Sequence, residues 1–206
     1  MNFTKLLIAT QNIGKFGEIK EVLGSLPLEL YHLKLDDFST LLQDDTFEEH
    51  GSTFEENAEL KAMHYHELIG IPTIGEDSGI IVDALKGELG VKTRRWGAGA
   101  NATDEEWIEH FMNVMKDIPQ HERTARFVSA AAFKNGDGEV AMFRGQTEGI
   151  ITMQMEAPLK PGIPLSSCFK PKGKNKVYAA LSEKEKNQIS HRGKAFHELK
   201  QYLSYL

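Results

Sequence analysis

Cysteine is almost missing from this sequence: Cys168 stands alone among 206 residues. A single thiol forms no intrachain disulfide and no cysteine-based zinc site, and it fits a reducing compartment. Long apolar runs are missing too. Stretches such as Leu6 to Ala9 fall far short of a membrane span. The N-terminus shows no apolar signal stretch, so a cytoplasmic protein without a membrane partner is expected. Positive charge is in deficit, with 24 Lys and Arg against 30 Asp and Glu, a net −6. Duplex-DNA affinity comes from phosphate neutralisation, so nucleic acid is not an expected partner. A local basic pocket for a small anion remains open. No repeat, low-complexity tract or Pro/Gly/Ser-rich linker interrupts residues 1–206, which read as one domain. What is there is ordinary for a globular protein, 40% hydrophobic and 26% charged, and long enough to bury a core.

The chain opens with a strand, Lys5 to Ala9, and a polar turn, Thr10-Gln11-Asn12. Phe16, Ile19 and Leu23 then recur at helical spacing from about Gly14. A second strand is expected over 28–33, followed by an acidic connector over 36–50. Either Ser52 or Thr53 can cap a helix running to about Leu68, with Glu56 at the capping-box position. Pro72 to Gly75 reads as a short buried strand, Asp77-Ser78-Gly79 as a turn, and Ile80 to Ala84 as a second extended run. Trp107, Ile108, Phe111, Val114 and Met115 form an amphipathic pattern. Strands over 126–133 and 139–151 flank Asn135-Gly136-Asp137-Gly138, a hairpin signal. Three prolines and Gly162 mark 158–175 as an irregular loop, and a final helix covers 191–203. The order implies an α/β protein with a mixed sheet.

Three constellations could carry chemistry. Thr10 to Lys15 lies where a strand meets a helix. Backbone amides, the Asn12 amide and the Lys15 ammonium suit a phosphate there; an ordinary strand–turn–helix junction is the plainer alternative. Glu76-Asp77-Ser78-Gly79 follows an apolar strand. Adjacent strand carboxylates face opposite ways, but one of them together with Glu48 or Glu49 would suffice for Mg²⁺ beside substrate phosphates. The alternative is a solvated acidic turn. Lys186, His191 and Arg192 gather at a helix start capped by Ser190. Cations there oppose the helix dipole, so a bound anion or polar ligand would relieve a conflict, whereas a surface basic patch is the alternative. Cys168 reads as a structural thiol and Ser78 lacks a nucleophile-elbow pattern. His64 and His66 sit two apart on a helix and face different ways. Trp96 and Trp107 read as core or interface residues.

Taken together, five stretches resemble the inosine triphosphate pyrophosphatase family: Ala9 to Lys15, Gly51 to Ala62, Glu76 to Leu85, Gly145 to Ile150 and Lys186 to Gly193. The resemblance implies a long mixed β-sheet flanked by helices, in two lobes with a central nucleotide cleft, as a homodimer. It implies a Mg²⁺-dependent enzyme that hydrolyses ITP, dITP and XTP to the monophosphate and pyrophosphate. Thr10, Asn12 and Lys15 would hold the triphosphate. Glu49 and Asp77 would bind Mg²⁺, with Asp77 also the base for the attacking water, and Glu76 and Lys61 would support them, Glu76 as a further metal-side carboxylate. Ser78 would contact substrate, and Lys186, His191 and Arg192 would reach the base and sugar. The family's Gly-(Phe/Trp)-Gly-Tyr-Asp-Pro segment, whose aromatic stacks on the purine, is replaced here by Gly162-Ile163-Pro164-Leu165-Ser166-Ser167. Gln11 stands where the family usually has glycine and would crowd the phosphate turn. A binding-only relative, or an enzyme for another phosphoanhydride, is the competing expectation.

Overall fold

The structure, a computed structural model, describes residues 3–34, 38, 41–43, 45–99, 101–136 and 138–206. Asp36, Asp37 and Asp44 of the acidic connector, and Asp137 of the hairpin turn, lie outside them.

Among the described residues six strands form one sheet: β1 Lys5–Ala9, β2 Glu29–His32, β3 Thr73–Val82, β4 Thr124–Lys134, β5 Ala141–Ile151 and β6 Phe169–Pro171. Their order is β2-β1-β3-β4-β5-β6. β1 runs parallel to β2 and β3, while β3, β4, β5 and β6 pair antiparallel. The mixed α/β architecture agrees with the sequence reading. Five α-helices among the described residues flank the sheet: α1 Ile13–Leu23, α2 Phe54–Ile69, α3 Asp104–Met115, α4 Glu183–Ile189 and α5 His191–Ser204.

The caps explain where the helices start. Asn12 Oδ1 accepts from the Lys15 N–H to open α1. Thr53, not Ser52, caps α2, and the Glu56 carboxylate accepts from the Ser52 N–H and hydroxyl. Thr103 and Ser182 form complete capping boxes on α3 and α4, and the Ser190 hydroxyl accepts from the Gly193 N–H on α5.

Two sequence expectations are corrected. The turn expected at Asp77-Ser78-Gly79 is the middle of the single strand β3, because Asp77, Ser78 and Gly79 pair with Ala130, Ser129 and Val128 of β4. The turn-forming letters serve close packing instead. A Cβ on Gly79 would stand 2.4 Å from the Gly90 carbonyl oxygen, and one on Gly75 would stand 2.1 Å from that of Ala58. The loop expected over 158–175 contains a short 3₁₀ helix, Pro164–Ser167, and strand β6, which pairs with the end of β5.

The apolar core divides along the strands. α1 and α5 cover one face near β1 with Ile19, Leu23, Phe196 and Leu199, and α2 covers the other with Phe54, Ala58 and Ala62. Trp107 and Phe111 of α3 form a separate cluster with Ile80, Val82, Phe169 and Tyr178 at the far end of the long strands. Cys168 is buried in this cluster and burial pushes its thiol up to about 12, which agrees with a structural role. His64 contacts Asp45 and His66 contacts the Ile71 carbonyl, so the two do not converge. Between the packing regions a cleft of about 900 Å³ opens across the sheet.

Candidate active site

Successive residues of a strand face opposite ways, and β3 uses this to divide its labour. Glu76 points to the α1/α5 side, where Ser129 Oγ donates to Oε1 at 2.9 Å, Arg192 Nε to Oε1 at 3.1 Å and Lys15 Nζ to Oε2 at 2.9 Å. Asp77 points to the α2 side, where Asn57 Nδ2 donates to Oδ2 at 3.0 Å. The Ser78 N–H donates to Asp77 Oδ1 at 2.9 Å, and Arg192 Nη2 donates to Ser78 Oγ at 2.8 Å.

These two carboxylates differ electrostatically. Burial pushes Glu76 up, but the Arg192 guanidinium and Lys15 ammonium outweigh it and hold the carboxyl well below the usual range. Glu76 is therefore an anionic pillar beneath the cleft, only 1% exposed. Burial also pushes Asp77 up, and here it prevails, with the Glu49 carboxylate adding to it against Lys15 and Lys61. Glu49 is pushed up by burial and pulled lower still by its ion pair with Lys61. Lys61 also donates to the Glu76 carbonyl oxygen at 2.9 Å, which fixes it to β3. Asp77 and Glu49 thus present hard oxygen donors that repel each other across the cleft. That donor chemistry fits a divalent cation of the Mg²⁺ kind.

The three constellations of the sequence meet in this cleft. Thr10, Asn12, Lys15, Glu49, Lys61, Asp77, Ser78, Lys186, His191 and Arg192 all line it, while Glu76 lies just beneath. Asn12 is already engaged: its Nδ2 donates to the Gly162 carbonyl at 2.8 Å. Gln11 is exposed on the cleft wall. It needs no left-handed backbone, since Lys86 is the one non-glycine with positive φ among the described residues.

Lys186 and Arg192 do not form a surface patch. Both ion-pair with Glu18 of α1, and all three side chains are at most 4% exposed. Burial pushes Glu18 up, and its two cationic partners pull it below the ordinary value. His191 stacks on Phe127 with ring centroids 4.6 Å apart. Its Nδ1 is buried with no hydrogen-bond partner among the described residues. Burial, reinforced by Arg192, lowers its pKa well below 6.5 and keeps the ring neutral.

A histidine depressed on folding stabilises the protein fully above its unfolded pKa, and that contribution fades as pH falls below it. We expect the urea midpoint to decline below pH 6.5 and His191→Gln to flatten the first part of that decline. An unchanged slope in the variant would remove His191 as its source.

Sequence reasoning missed four contributors. Arg94 and Arg95, in the 3₁₀ helix Gly90–Arg95, bring exposed guanidinium groups to the cleft. Their adjacency to Trp96 gave no periodic signal. Glu18 and Asn57 read as surface letters on amphipathic helices, yet Glu18 falls one turn before buried Val22 and Asn57 beside buried Ala58.

Comparison with known proteins agrees with this geometry. The Ham1 family profile matches residues 6–202. A dITP/XTP pyrophosphatase from Geobacter sulfurreducens is 36% identical over 203 residues, covering 98% of each chain. One from Exiguobacterium sibiricum is 37% identical, covering 97% of each. The HAM1 protein of Coxiella burnetii superposes with a TM-score of 0.80 at 30% identity, covering 99% of this chain and 100% of its own. The Staphylococcus aureus Ham1 protein gives 0.79 at 32% identity, covering 98% and 99%. A cleft that gathers these residues, in a chain matched from end to end, places this protein in the Ham1 family, and the resemblance seen in the sequence stands.

Proposed function

We propose that the protein hydrolyses non-standard purine nucleoside triphosphates, such as dITP, ITP and XTP, to the monophosphate and pyrophosphate. The observation that carries this reading is the convergence of the buried Asp77 carboxylate with Lys15 and Lys61 in one cleft. A phosphoanhydride presents negative charge to the two ammonium groups, while the carboxylate can accept a proton from water.

Lys15 and the amides at the start of α1 hold the phosphates. Thr10 and Asn12 add polar contacts, which requires the Asn12 amide to exchange the Gly162 carbonyl for a phosphate oxygen. Asp77 takes the proton from the attacking water, and its hydrogen bond from Asn57 fixes the direction of that carboxylate. Glu49 and Asp77 would hold Mg²⁺, with Glu76 supporting from beneath through Lys15 and Arg192. The metal, when bound, offsets charge developing on the phosphates. Lys186, His191 and Arg192 close the nucleoside end, where Ser78 is held by Arg192. The same reading includes a cytoplasmic homodimer without membrane or nucleic-acid partners. Among the described residues no helix is long and apolar enough to cross a membrane.

The test is pyrophosphate release with Mg²⁺ across dITP, ITP, XTP and the standard nucleotides at slightly alkaline pH. Turnover of dITP, ITP and XTP above the standard nucleotides is the expected result. A folded protein that turns over none of them overturns the reading in favour of a binding-only relative or another phosphoanhydride.

A further inference from the structure

The 3₁₀ helix Gly90–Arg95 forms part of the cleft lining and is fastened to β3. Thr93 Oγ1 donates to the Gly90 carbonyl at 2.6 Å and accepts from the Ile80 N–H at 3.1 Å. These contacts fix the short helix beside the stretch of β3 that carries Asp77 and Ser78. Arg94, Arg95 and Arg192 bring guanidinium groups to the cleft, and they differ in what holds them. Arg192 is buried between Glu18 and Glu76. Arg94 Nη2 donates to the Ala102 carbonyl at 2.5 Å. Arg95 is exposed, and its side chain makes no hydrogen bond or ion pair with any described residue.

The charge of Arg95 is nonetheless felt inside the site. Burial pushes Glu49 up, and Lys61, then Lys15 and Arg95, pull it below its ordinary value. Lys61 already pairs with Glu49, and Lys15 with Glu76. Phosphates brought to Glu49 and Asp77 would therefore add negative charge where the nearby ammonium groups are shared with carboxylates. A guanidinium with its donors unoccupied meets that demand, because its planar fork matches two oxygens of a phosphate. Glu49 also indicates which phosphates these are. It is tied to α2 through Lys61, whereas Lys186, His191 and Arg192 hold the nucleoside end from the side of α4 and α5. The flank of Glu49 thus belongs to the part of the chain that leaves as pyrophosphate.

We propose that Arg95 is a substrate-binding residue for the pyrophosphate portion of the nucleotide, its guanidinium donating to oxygens of the terminal phosphates. The assignment rests on the nucleotide reading above. Arg95→Gln removes the charge and the fork at an exposed position where no other described side chain depends on them, so Tm is expected to stay at the wild-type value. With Mg²⁺, the variant is expected to raise KM for dITP about tenfold, the scale of one charge-assisted hydrogen bond. Inhibition by inorganic pyrophosphate is expected to weaken by a similar factor. Binding of inosine monophosphate, which lacks that portion, is expected to stay within about twofold of wild type.

A folded Arg95→Gln variant with wild-type KM and wild-type inhibition by pyrophosphate overturns the assignment while leaving the nucleotide reading intact. So does a variant in which inosine monophosphate binds more weakly by the same factor as pyrophosphate, since the residue would then act on the nucleoside half or on the cleft as a whole. A wild type that neither binds pyrophosphate nor hydrolyses dITP, ITP or XTP overturns the nucleotide reading, and the role of Arg95 with it.

Discussion

Replacing Asp77 with Asn is expected to lower kcat for dITP by about a thousandfold, the scale of a lost general base, and to raise thermal stability at neutral pH. The two effects have one cause. Burial, together with the nearby Glu49 carboxylate, makes the charged form of Asp77 unfavourable in the folded protein. A carboxyl whose pKa rises on folding costs stability wherever it is ionised, above its folded pKa. Asn removes that cost; its one oxygen keeps the bond from Asn57 Nδ2, at the loss of the weaker bond from the adjacent Ser78 N–H. Activity assays on the pure variant, with Tm measured beside wild type, check both halves. A variant of full activity removes Asp77 as the base. A variant that is inactive and clearly less stable points instead to a structural role.

The largest stability effect is expected at Glu18, far along the chain from the strand carboxylates. Its carboxylate faces both Lys186 and Arg192, and all three are almost wholly buried. Glu18→Gln leaves the Lys186 ammonium without a counter-charge in the interior, whereas Arg192 keeps Glu76. Breaking a buried ion pair from one side costs about 3–5 kcal/mol, which in a domain of this size lowers Tm on the order of 10 °C. Adding Lys186→Met should recover a large part of the loss, because the stranded charge goes with it. A single variant that unfolds within about 1 kcal/mol of wild type would show that the triad behaves as a solvated pair. The double variant separates charge from packing: if it is as unstable as the single one, lost volume rather than lost charge sets the cost.

Much of the fold was legible because local chemistry and tertiary structure agree. Thr53 and Ser190 cap helices at the positions their spacing indicated, and the Asn-Gly turn joins β4 to β5. Legibility failed where tertiary pairing overrides local preference. Ser78 and Gly79 carry turn-forming letters, but β4 supplies partners for both and the small side of Gly79 is needed against the Gly90 carbonyl. β6 was unreadable, since three residues carry no period and only the end of β5 makes them a strand. At the site, the strand alternation correctly separated Glu76 from Asp77. It could not say that Glu76 would be sealed beneath the cleft by an arginine over a hundred residues away. The counter-ions of Lys186 and Arg192 were equally hidden, because Glu18 meets them only through the packing of α1 on α4 and α5.

Gly162 gives the cleft a freedom of a different kind. It joins the start of α1 to the start of α3, offering its carbonyl to Asn12 and its N–H to Asp104, in a backbone conformation with φ of 76° that suits glycine. Main-chain atoms do this fastening, so it does not depend on which side chains follow, although Leu165 and Ser166 are themselves packed into the cleft wall. The junction between the two helix starts is therefore set by backbone geometry and not by the identity of a side chain at 162.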